Sequence, residues 1–140
     1  MAQKLSIKDK RKILDFVANE FKSVAISENW VSHYDKDSDS FALHIPKIPK
    51  DTQKRYINDE FAFYLDQDAN VKGLFIEYFT TNLMSHHEKN LGDIRKSIEE
   101  QERTSDKSII EFKKKDSNKL VSSLEELMLN SMIQRMPTVA

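Results

Sequence analysis

The chain has no cysteine, and only two glycines and three prolines, among its 140 residues. Each scarcity closes off some chemistry. Without cysteine there is no disulfide, no thiolate zinc site and no cysteine nucleophile, and the omission fits a reducing cytoplasm. Two glycines cannot build the glycine-rich loop that cradles phosphates, so nucleotide binding of that kind is not expected. Long apolar runs are missing as well. Uncharged apolar stretches last a few residues, against the ~20 that a membrane helix needs. Met1-Ala2-Gln3-Lys4 leads into charged residues and not into an apolar signal core, so the expected location is cytoplasmic.

What is present describes an ordinary globular chain. Apolar residues make up 39% and charged residues 32%, too apolar for global disorder. A chain of this length forms one domain that buries roughly two-thirds of its unfolded surface, with no need of a metal or crosslink. The net charge of −1 argues against a broad nucleic-acid footprint. The charge is uneven: residues 28–79 carry six basic against ten acidic side chains, while residues 1–27 carry six against three. An acidic middle flanked by a mildly basic start is the result.

Periodicity predicts an α+β fold with an N-terminal helix, a three- to four-stranded antiparallel sheet and two C-terminal helices. Over residues 6–27, Ser6 can cap a helix on which Ile13, Val17, Phe21 and Val24 recur at helical spacing. Residues 30–79 alternate as strands. Phe41, Leu43 and Ile45 share one face, as do Ile57, Phe61, Phe63 and Leu65, while Val71 to Phe79 reads as a central strand. Aspartates mark the turns, in Asp35-Lys36-Asp37-Ser38-Asp39 and again in Asp66-Gln67-Asp68. Residues 80–103 return to helical spacing, with Met84, His87, Leu91, Ile94 and Ile98 forming a coiled-coil-like seam suited to self-association. Residues 1–103 thus read as the α+β core. Residues 104–140 read as a polar linker and a final amphipathic helix that Pro137 stops.

Candidate chemistry is sparse. Asp35, Asp37 and Asp39 have the spacing of a calcium loop, but Ser40 and Pro46 stand where that loop needs glycine and glutamate, so a hairpin turn is expected. His86 and His87 point about 100° apart on a helix and cannot converge on one ion, and only His33 and His44 remain as partners. No metal and no cofactor is expected. His44, Tyr64, Glu77 and Glu60 could share the less apolar sheet face as an acid–base group, with no nucleophile beside them. Lys8, Lys10, Arg11 and Lys12 have Asp9 and Asp15 among them, and the Lys113-Lys114-Lys115 run lacks aromatics, so neither suits nucleic acid alone. The last helix carries Leu120, Leu124, Glu125, Leu127, Met128 and Met132. It either docks in a partner's groove or packs on the chain's own sheet.

Residues 34–83 resemble a family of small bacterial domains, the domain of unknown function numbered 2283. Tyr34-Asp35, Asp39, Leu43 and Ile45 carry the likeness, followed by Leu65-Asp66-Gln67-Asp68, Val71, Gly73 and Ile76. The resemblance implies an accessory role of the kind found in toxin–antitoxin operons and brings no catalytic residues with it. The expectation is therefore a non-catalytic, antitoxin-like interaction protein whose terminal helix covers a basic partner, with Glu125 and Glu126 meeting its charges. The alternatives are a secretion or assembly chaperone that dimerises through the Met84–Ile98 seam, or a small enzyme using the His44 face.

Overall fold

A computed structural model describes residues 6–57, 61–84, 88–104 and 106–135. The fold is α+β, with helices at both ends of an antiparallel sheet. Ser6 caps α1 (Ile7–Asn19) by accepting the Asp9 N–H at 3.1 Å. The single helix expected over residues 6–27 is two. The axis breaks at Glu20, whose φ of −127° lies outside helical values, and α2 (Phe21–Ser27) follows. Asn29 ends α2 in the left-handed region, and the Trp30 N–H reaches back to the Ala25 carbonyl at 2.9 Å, a Schellman-type stop.

The sheet has six strands where three or four were expected: β1 (Val31–Asp35), β2 (Ser40–His44), β3 (Gln53–Tyr56), β4 (Phe61–Leu65), β5 (Val71–Ile76) and β6 (Ile109–Glu111). Their order is β3-β4-β5-β2-β1-β6, and every neighbouring pair is antiparallel. The two additional strands are the two edges. Gln53-Lys54-Arg55-Tyr56 has no apolar alternation to announce it, and Ile109-Ile110-Glu111 lies inside the stretch expected to be a linker. β5 bonds to β4 and β2, so its central position agrees with its pattern. A bulge opposite Tyr64 and Leu65 lets Val71 rejoin the buried side.

After β5 the chain turns through Tyr78, at φ 51°, into a π-helical segment (Phe79–Met84), then α3 (Glu88–Thr104), β6 and α4 (Lys114–Arg135). The helices gather on one face: α1, α2 and α3 all meet α4, which also meets β1. Their buried side chains share one cluster with Tyr34, Phe41, Leu43, Phe61, Phe63, Leu74, Ile76 and Ile110 from the sheet. Phe41 and Phe79 stack there at 4.7 Å. Because α4 crosses β1, Ser117 on α4 and Ser32 on β1 share a hydrogen bond in the core, which keeps both buried hydroxyls satisfied.

Candidate binding surface

With the helices on one side, the other face of the sheet presents a field of alternating large and small side chains. Strand pairing sets two rows across it. Lys54, Tyr64, Gly73, His44 and Val31 stand side by side on β3, β4, β5, β2 and β1. The next row holds Tyr56, Ala62, Phe75, Ala42 and His33, completed by Glu111 of β6.

The small residues let the rings lie close. A Cβ at Gly73 would meet His44 Cβ at 2.5 Å and Tyr64 Cδ2 at 2.9 Å, so glycine is what lets those two side chains flank it. Their rings are 6.1 Å apart, edge to face. Beyond His44 comes His33 at 5.4 Å, and beyond Tyr64 comes Phe75 at 6.4 Å. Ala42 and Ala62 are buried on either side of Phe75, and Lys54 Nζ lies 3.9 Å from the centre of its ring. The rings themselves are half-buried, and Val31 at the end of its row is 44% exposed. Toward one margin Asp35, Glu77 and Glu111 supply acidic side chains, while Lys54 stands at the β3 end of the field.

Two of the polar side chains of this field are held by hydrogen bonds. His44 Nδ1–H donates to the Ile45 carbonyl at 2.7 Å. Tyr56 donates to the Glu77 carboxylate. Burial first, and then that carboxylate, raises the Tyr56 phenol above its ordinary range. Burial also raises Tyr64. It lowers His33, helped by neighbouring His44 and opposed by Glu111 and Asp35, so His33 favours the neutral form. The acid–base group expected from sequence does not converge. His44 and Tyr64 are neighbours, but Glu77 is four residues beyond Gly73, about 13 Å along the strand, and is held by Tyr56. Glu60 lies outside the described residues.

The turn aspartates bond to backbone and hydroxyl groups. Asp35 accepts the Asp37 N–H at 3.0 Å. Asp66 accepts the N–H groups of Asp68 and Asn70, both at 2.9 Å. Asp39 reaches farther. Its carboxylate accepts from Tyr34 Oη, from the N–H and hydroxyl of Thr80, and from the N–H and hydroxyl of Thr81, at 2.6–3.1 Å. It thereby caps the π-helical segment from a turn 41 residues away. Burial alone would raise this carboxyl. The hydrogen bonds from Thr80, Tyr34 and Thr81 outweigh it and hold the group down at about 2. Nothing local in the sequence signals this role. Among the described residues, no group of three or more His, Asp or Glu side chains is placed to hold a metal ion.

The residues expected to grip a partner lie elsewhere. Leu120, Leu124, Leu127 and Met128 are buried in the chain's own core, which is the second of the two arrangements foreseen for this helix. Glu125 is half-buried and Glu126 exposed. Leu91, Ile94 and Ile98 of the seam are likewise buried in that core. His86, His87, Met136 and Pro137 lie outside the described residues, and Met84 and Met132 are placed only by their helices. Sequence reasoning missed Phe75, Tyr56, Lys54 and His33 as members of one surface. For Phe75 the available signal was its place two residues from Gly73 on one strand face; Lys54 and Tyr56, on an unannounced edge strand, carried none.

No family model, no curated protein and no solved structure matches the chain. Among the described residues, no helix is long and apolar enough to cross a membrane.

Proposed function

We propose that the chain is a non-catalytic interaction module that docks another protein on the uncovered face of its sheet. The observation that supports this reading is the half-buried row of rings His33, His44, Tyr64 and Phe75, set on Gly73, Ala42 and Ala62. An aromatic field spread over four neighbouring strands offers broad, half-buried ring area to a partner, which suits a protein surface better than a small substrate. The acidic side chains of Asp35, Glu77 and Glu111 favour a basic partner, so the antitoxin-like role is the sharpest form of the reading. The grip passes from α4 to the sheet, because the apolar side chains of α4 are needed inside.

The test is to purify the protein with its native partner and compare amide exchange in the free and bound states. Protection should appear along Val31–Asp35, Ser40–His44 and Val71–Ile76, and Phe75→Asp should release the partner while the circular dichroism stays native. Protection confined to α4, or a partner retained by Phe75→Asp, would count against the sheet face.

A further inference from the structure

The two edges of the sheet are guarded very differently. β3 carries Lys54 and Arg55 and follows a loop with two prolines, the usual means of discouraging a second strand. β6 opens on an exposed isoleucine: Ile109 is 42% exposed. Pairing with β1 fixes which backbone groups of β6 are already used. The Lys36 N–H donates to the Ser108 carbonyl at 2.8 Å and the Phe112 N–H donates to the Ser32 carbonyl at 3.1 Å. In an antiparallel ladder the alternate residues, Ile109 and Glu111, therefore point their N–H and carbonyl groups away from β1. Against this edge lies a cavity of about 590 Å³ that Gln101 of α3 and residues 107–111 line. Space for a strand thus lies beside outward-facing donors and acceptors.

We infer that β6 pairs with β6 of a second copy of this chain, antiparallel about a two-fold axis at Ile109. The charges on the edge choose this register among the possible ones. Centring the axis on Ile110 sets Lys107 opposite the like-charged Lys113, and centring it on Glu111 sets two carboxylates opposite each other. Centring on Ile109 sets Ile109 against Ile109 and Lys107 against Glu111, twice, by symmetry. Side chains at 109 and 111 share the face of Asp35 and His33, so the new contacts form on the uncovered side. The two sheets become one, and their aromatic fields become a continuous surface. This pairing does not depend on what that surface binds.

The experiment is light scattering on the full chain and on the charge-reversal variants Lys107→Glu and Glu111→Lys. The wild type should have the mass of two chains. Each variant alone should be monomeric, since like charges then meet twice. An equimolar mixture of the two variants should recover the dimer, because every cross-strand pair is again opposite in sign. A wild type that stays monomeric at every concentration, or single variants that dimerise as well as the wild type, overturns the inference. So does a mixture that remains monomeric. Exchange at the Ile109 and Glu111 amides of the wild type gives an independent reading even if a variant misfolds: it should slow as concentration rises, and concentration-independent exchange refutes the pairing.

Discussion

Tyr34 Oη donates to Asp39 Oδ1 at 2.6 Å, across the turn that joins β1 to β2. Asp39 itself sits at φ 51°, a conformation that costs an L-residue about 1 kcal/mol and persists because the carboxylate gathers five donors. Burial, and then this carboxylate, push the Tyr34 phenol up to about 12. Asp39→Ala removes a remote helix cap and leaves Tyr34 and Thr80 without their acceptor. It should cost about 2 kcal/mol in urea unfolding, with Asp39→Asn losing less.

The same group sets an acid limit. Its folded value is about 2 against 3.8 ordinarily, so the unfolded state binds the proton more readily between those values. The stabilisation is present above pH about 4 and is lost as pH falls toward 2. Asp39 is partly open to solvent, so about 1 kcal/mol is the expected amplitude after screening. Unfolding midpoints measured from pH 5 to pH 2 should fall for the wild type more steeply than for Asp39→Asn.

The two glycines should respond with opposite signs to alanine. At Gly92, on α3, an added Cβ meets nothing within 4 Å, so Gly92→Ala should stabilise by about 1 kcal/mol through helix propensity. At Gly73 the same methyl meets His44 Cβ and the Leu43 carbonyl oxygen at 2.5 and 2.9 Å, neither of which can swing aside. Gly73→Ala should cost about 1–3 kcal/mol. Thermal melts of the pair check both.

Ala69 closes the turn between β4 and β5 at φ 63°, while Asp66 collects the N–H groups around it. Ala69→Gly relieves the left-handed strain and returns some entropy to the unfolded chain. The net expectation is a stabilisation of about 0.5 kcal/mol, read as a higher urea midpoint.

Removing residues 117–140 should abolish cooperative unfolding, because Leu120, Leu124, Leu127 and Met128 leave with them. Leu124→Ala alone should cost about 2–5 kcal/mol. A truncated chain that retained a sharp transition would show α4 to be dispensable, and would return it to the role of a partner-seeking arm.

The sequence was most legible where one face of a strand is buried. Phe41 with Leu43, and Phe61 with Phe63 and Leu65, alternate because water lies on one side and the helices on the other. The Ser6 cap was legible for the same local reason. Edges escape this logic. Gln53–Tyr56 is held by backbone bonds to β4 and needs no apolar face, and three residues of β6 are too few to show a period. Asp39 looked like its neighbours Asp35 and Asp37, since its distinguishing partners, Thr80 and Thr81, are distant in the chain. The leucines of α4 were visible as an apolar stripe, but a stripe does not say what covers it.

The hydroxyl pair of Ser32 and Ser117, 85 positions apart, bears on how the molecule is made. Synthesis runs from the N-terminus, so β1 emerges long before the helix that must seal it. Until residue 117 clears the ribosome, Ser32 faces apolar neighbours with no partner, and the side of β1 later taken by β6 lies bare. Nascent chains of this protein therefore pass through a stage with an unfinished sheet edge, and release of the C-terminal quarter is what closes it.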